Sequence, residues 1–203
     1  MRHEEIEKLI RTAECWVGYH EKASCNYATY EWMDGNAGGA NFTRFGRIAD
    51  LVMQGEDKRN KDGFPWCAMF LISCLYESKV GRVDTTKPHI EPNRDGIEFV
   101  RDVLGGNYFP LKHMAGVANI YKAGVYLHRI DSSPHPGDFV IYINDDGRPY
   151  HIGLVVMKKG SQIVTIEGNT SGKVANIVAN GGVVARNTRM ITKKTLFFKN
   201  SIL

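Results

Sequence analysis

Nowhere in the 203 residues is there an unbroken apolar run near the roughly 20 residues that a membrane-spanning helix requires. The first ten residues, MRHEEIEKLI, hold three glutamates and no apolar stretch, so no secretory signal is expected and synthesis in the cytoplasm is. Cysteine is sparse: four residues, at 15, 25, 67 and 74, with no CxxC pair and no Cys/His spacing that suits zinc. Without a secretory signal those thiols are expected to stay reduced, although spacing alone leaves a Cys15–Cys25 bridge open. A strong excess of one charge is lacking too, since the net charge is only +4. The basic bias is confined to the last quarter, at Lys158, Lys159, Arg186, Arg189, Lys193 and Lys194. Such a bias favours encounter with an anionic surface such as a cell wall or nucleic acid. Its plainest reading is a solvated face, and no nucleic-acid motif accompanies it. Repeats and low-complexity linkers are absent, which points to one domain.

What is present divides into two textures. Ile6, Leu9, Ile10, Ala13, Trp16 and Val17 recur at helical spacing and predict a helix over 2–17, with Gly18 as its stop. The glycines of DGNAGGANFTRFG (34–46) predict turns, and 47–53 a short helix. From Cys67 onward, Phe70, Leu71, Cys74 and Leu75 form an apolar stripe of a further helix. Another helix is expected over 96–104, and a short one near 114–122. After Pro134 the texture becomes β: PGDFVIYI (136–143), HIGLVVM (151–157) and QIVTIEG (162–168) read as strands, with weaker candidates at 181–189 and 195–200. Helices first and antiparallel sheet second give an α+β domain.

The stretch DGFPWCAMFLISCLYES (62–78) sets a cysteine at the first turn of its helix, directly after Pro65 and Trp66. At a helix start, unpaired N–H groups and the helix dipole favour a thiolate. The hairpin over 151–167 supplies partners. If Met157 pairs with Ser161 across a three-residue loop ending in a left-handed Gly160, His151 falls opposite Glu167, with Asn169 on the same face. An imidazole beside Cys67 stabilises the sulfur anion and donates a proton to a leaving amine. Either Glu167 or Asn169 could orient that ring, and the Cys67 N–H could help bind the oxyanion. This set fits acyl transfer by a cysteine enzyme.

PWCAMF, HPGDFVIYI, HIGLVV and IEGNTS, in that order, resemble the landmarks of the CHAP family, the cysteine, histidine-dependent amidohydrolases/peptidases with a papain-like fold. GYHEKAS, NAGGANFTRFG and GGVVAR resemble flanking segments of CHAP proteins from phages and Gram-positive bacteria, so the likeness covers about residues 10–190. It implies a single catalytic domain with helices packed on an antiparallel sheet. The long interval between Cys67 and His151 implies a helical insertion at about 79–130. The implied activity is cleavage of an amide bond in peptidoglycan, either between N-acetylmuramic acid and L-alanine or within stem or cross-bridge peptides. Cys67 would be the nucleophile, His151 the base, Glu167 the orienter and Asn169 a further polar member.

Trp66 reads as a wall of the site or as a core aromatic, and Cys15, Cys25 and Cys74 as structural. No cofactor, metal, nucleic acid or membrane partner is expected, and the chain is expected to act as a monomer. Asp57 and Asp62 lie upstream of the cysteine, as calcium-binding acids do in some relatives, but they are interleaved with Lys58, Arg59 and Lys61. Two other readings share the scaffold: a catalytically silent wall-binding or virion structural protein, and a deamidase or protease toxin directed at proteins.

Overall fold

The computed structural model describes residues 1–26, 28, 29, 31–33, 40–54, 61–171 and 182–200. Asp57 and residues 34–39 of the glycine-rich run therefore lie outside the described residues.

Helix α1 (His3–Glu14) buries Ile6, Leu9 and Ala13, the stripe its spacing predicts. A small antiparallel hairpin, β1 (Ser24–Asn26) and β2 (Glu31–Met33), follows, which the sequence reading did not anticipate. Helix α2 (Arg44–Gln54) begins three residues earlier than expected. Helix α3 (Cys67–Val80) is the centre of the molecule: every residue from Cys67 to Glu77 is buried. It packs between α1, α2 and the sheet, and a helix apolar on all sides is stable only in such a position. Within the expected helical insertion lie α4 (Arg94–Leu104), a single 3₁₀ turn at Leu111–His113 and α5 (Val117–Tyr126). Asn93 caps α4 by accepting from the Gly96 N–H, and Gly105 ends it in the left-handed conformation.

Six strands then form one antiparallel sheet: β3 (Ile130–Asp131), β4 (Phe139–Ile143), β5 (Pro149–Lys159), β6 (Gln162–Thr170), β7 (Val183–Met190) and β8 (Thr195–Phe198). Their order is β3-β8-β4-β5-β6-β7. The fold is thus α+β. The main core lies between the helices and one sheet face, where Phe139, Ile141, Ile152, Leu154, Ile166 and Val184 meet α3 and its neighbours. A small cluster of Val140, Val155, Ile163 and Phe197 forms separately. No helix among the described residues is long and apolar enough to cross a membrane.

A buried ion pair ties the helical layer together. Glu77 on α3 accepts from both terminal nitrogens of Arg44 on α2, from the Trp16 indole and from the Val83 N–H. The Arg44 guanidinium also lies 3.8 Å over the Trp16 ring.

Candidate active site

Cys67 is the first residue of α3, and its preceding N-cap, Trp66, offers no side-chain acceptor. The first helical bond runs from the Phe70 N–H to the Trp66 carbonyl at 2.9 Å. The N–H groups of Cys67, Ala68 and Met69 are therefore without intrahelical partners, as at any helix start. Trp66 holds this start in place. It is fully buried, stacks on Phe45 at 5.5 Å and donates its indole N–H to Glu21 at 3.1 Å. It is thus a core aromatic, and the expectation that it walls the substrate cleft is corrected: it lines neither groove described below. Beneath it runs Gly168 of β6, where a Cβ would stand 2.5 Å from the Cβ of Phe70 and 2.8 Å from the Trp66 ring. Glycine there lets the start of α3 press directly on the sheet.

The hairpin that carries His151 and Glu167 differs in register from the expectation. Its turn is the two-residue Gly160–Ser161, because Lys159 pairs with Gln162 and Met157 with Val164. Gly160 is left-handed as anticipated, at φ 59°. Near the turn the ladder is displaced by three residues from the expected pairing, Met157 meeting Val164 where Ser161 was expected. An odd displacement alone would put Glu167 on the face turned away from His151. A bulge between Val155 and Met157 removes one residue from the count, so Val155 meets Thr165 and Leu154 meets Ile166. The net displacement of two restores the shared face. Continued along the strand, this register puts Gly153 opposite Glu167, and a Cβ on Gly153 would lie 2.6 Å from Glu167 Cγ. The missing side chain gives Glu167 room to lean diagonally toward His151.

There the two meet, His151 Nε2 lying 3.1 Å from Glu167 Oε2. Cys67 lines the same groove as His151 and is the other group that acts on the ring. With Nε2 on the carboxylate, the other ring nitrogen is left for the sulfur. Burial pulls His151 down, but the hydrogen bond and charge of Cys67, together with those of Glu167, outweigh it and raise the imidazole from 6.5 to about 9. The ring therefore carries two protons at neutral pH.

Glu167 has no exposed surface, yet it keeps its charge because donors surround it. The hydroxyls of Tyr142, Thr165 and Thr170 donate to it at 2.9, 2.6 and 3.1 Å. Arg189 adds a two-pronged contact, Nε to Oε1 at 3.0 Å and Nη2 to Oε2 at 2.7 Å. Burial would raise this carboxyl, but the bonds to His151, Arg189 and Thr165 hold it well below the usual carboxylate range. Tyr142, half-buried and hydrogen-bonded to that negative charge, is pushed up by lost hydration and by the charge, and stays a phenol. Its ring lies nearly parallel to His151, with centroids 5.7 Å apart.

Two grooves meet at Cys67. The first, about 660 Å³, is lined by Tyr142, His151, Asn169, Arg189 and Lys194 among others. The second, about 560 Å³, is lined by Phe64, Met69, Ala115, Val117 and Pro149 among others. Pro65, Cys67 and Tyr150 border both.

Of the residues singled out from sequence, Cys67, His151 and Glu167 come together, the imidazole hydrogen-bonded to the carboxylate and sharing its groove with the thiol. Asn169 lines the first groove at φ 53°, a left-handed conformation that asparagine tolerates, within the irregularity where β6 leaves its pairing with β7 between Glu167 and Thr170. Cys74 is wholly buried, and burial pushes its thiol well up. Cys15 and Cys25 are not joined by a disulfide. Asp62 belongs to no group of three or more metal-ligating side chains among the described residues. Sequence reasoning missed Tyr142, Thr165, Thr170 and Arg189. The last was read as part of a solvated basic face, although the alternation of β7 opposite β6, where Ile163 meets Arg189, sets it on the face of Glu167. Compared with family models, with curated proteins and with solved structures, the chain matches none.

Proposed function

We propose that the protein is a cysteine amidase or endopeptidase that hydrolyses an amide bond of peptidoglycan. The observation that carries the chemistry is the chain Cys67–His151–Glu167, set at a helix start where two grooves meet. The choice of polymer rests on the resemblance of PWCAMF, HPGDFVIYI, HIGLVV and IEGNTS to the CHAP family, and the mildly basic net charge suits an anionic wall.

In this reading Cys67 Sγ attacks the carbonyl carbon, and the oxygen gathers negative charge against the N–H groups at the start of α3. The C–N bond then breaks as His151, protonated at neutral pH, gives its proton to the nitrogen. A thioester remains on Cys67. The neutral imidazole next takes a proton from water, the hydroxide attacks the thioester, and the sulfur leaves as thiolate beside the restored imidazolium. Glu167 never changes protonation state. It holds the ring in orientation and stabilises the imidazolium, as the third member of such a set does. The protein would act as a monomer on the wall, after release by lysis or as part of a phage particle.

The test is digestion of purified peptidoglycan followed by mass spectrometry of the fragments. Each cut should expose one new carboxyl and one new amine, which identifies the bond. Cys67→Ala should release none of these fragments while keeping the native circular dichroism spectrum. Wall left intact by the wild type, with a protein substrate hydrolysed instead, would move the activity to proteins. Wall bound but uncut would make the chain a silent wall-binding protein.

A further inference from the structure

The two grooves at Cys67 differ in chemistry, and His151 lines only one of them. Cleavage of an amide requires the imidazolium to reach the departing nitrogen. The leaving half of the substrate must therefore occupy the groove that His151 lines, and the acyl half the other. This assignment needs only the position of the general acid.

The leaving-side groove is cationic. Arg189 and Lys194 stand on its wall, and no carboxylate side chain lines it among the described residues. Glu167 lies behind the wall, fully buried and matched by Arg189. Arg189 keeps 38% of its side chain exposed, and Lys194 46%. Lys194 also pairs with Asp145, which stands almost wholly in solvent and is not part of the groove wall. Asn169 contributes a carboxamide that has no hydrogen-bond partner among the described residues. By contrast Phe64, Met69, Ala115, Val117 and Pro149 make the acyl-side groove apolar, with Lys61 the only charged residue described along it.

We propose that the groove beside His151 binds the amine-leaving half of the substrate through a free carboxylate held by Lys194 and Arg189, and that the apolar groove takes an uncharged acyl half. This assignment rests on the amidase reading and adds the substrate's direction and charge to it. Lys194 is the residue to vary, because it touches none of Cys67, His151 or Glu167. A charge-assisted bond at a half-exposed lysine changes affinity about tenfold.

The experiment measures binding, so that it stands apart from turnover. Cys67→Ala protein is titrated with L-alanyl-D-glutamate, an amine fragment with free carboxylates, and with its diamide. The dipeptide should bind about tenfold more tightly, with an advantage that shrinks as salt is raised. Adding Lys194→Met should cut the preference several-fold, leaving the part that Arg189 supplies, and Lys194→Glu should abolish it. NMR shifts on titration should fall on His151 and Tyr142 and spare the Met69 methyl. Equal affinity for dipeptide and diamide, binding of neither, or shifts centred on Met69 would each overturn the assignment. Failure of wall digestion with the preference intact would instead remove the polymer and leave the groove's charge selectivity standing.

Discussion

Replacing Glu167 by glutamine changes one atom type at the most crowded polar point of the molecule. The carboxylate there receives six contacts: three hydroxyls, two guanidinium nitrogens and one imidazole nitrogen. A carboxamide offers one acceptor oxygen and an NH₂ that must face some of these donors. It also leaves Arg189 without its counter-charge. Removing one partner of a buried pair costs about 3–5 kcal/mol. With Arg189 38% exposed, water compensates in part, so a loss of roughly 2–3 kcal/mol is expected. The sharper consequence is for His151. Its rise from 6.5 to about 9 corresponds to about 3 kcal/mol in favour of the imidazolium. Cys67 and Glu167 together support that rise against burial. Without Glu167, His151 should fall by ~1–2 pH units, the usual effect of losing one close opposite charge. A group raised on folding adds stability that is complete below its unfolded value and lost as pH climbs through the folded one. The wild type should therefore lose stability from about 6.5 to about 9. In Glu167→Gln that window should narrow, and the alkaline limb of kcat/KM should move to lower pH by the same amount. NMR titration of the His151 ring measures the first quantity directly, and a pH–rate profile the second. If the ring still titrates near 9 in Glu167→Gln, Glu167 does not support the imidazolium and the reasoning fails.

Further outcomes follow from other contacts. Glu167 itself is lowered on folding, so its contribution is present above about 4.5 and disappears as pH falls below that value. Acid denaturation monitored by fluorescence should consequently be less steep in Glu167→Gln. Gly168→Ala sets a methyl 2.5 Å from the Cβ of Phe70. It should cost about 1–3 kcal/mol by denaturant unfolding, and reduce activity further than stability because the start of α3 must shift. Glu77→Gln strands Arg44 in the interior, both side chains being nearly inaccessible. A loss of about 3–5 kcal/mol is expected in urea unfolding, with Glu77 remote from the reacting atoms.

The α+β class, the helix beginning at Cys67 and the placement of His151 and Glu167 on one face could all be read from residue patterns. The hairpin shows why the last succeeded for an incomplete reason. Periodicity identifies faces only modulo two, and two unforeseen features, a shorter turn and the bulge at Val156, cancelled in parity. Bulges leave little trace in a single sequence, since Val155, Val156 and Met157 are all apolar. For α3 the stripe of Cys67, Phe70, Leu71, Cys74 and Leu75 was only part of the signal. Ala68, Met69, Ile72 and Tyr76 on its other sides already marked a helix buried all round. Arg189 was misread because net charge and clustering describe surfaces, whereas its partner becomes visible only once β7 is aligned with β6. Trp66 and Gly168 work as a pair across 102 positions of sequence, a contact that no local pattern encodes.

The most direct measurement of whether Cys67 and His151 form a reactive couple is alkylation by iodoacetamide, followed residue by residue with mass spectrometry between pH 5 and 10. Cys67 should be modified far faster than the buried Cys74, and its rate should drop in His151→Ala while that of the exposed Cys15 stays the same. Equal rates at Cys67 with and without the imidazole would contradict the couple, and with it the proposed chemistry.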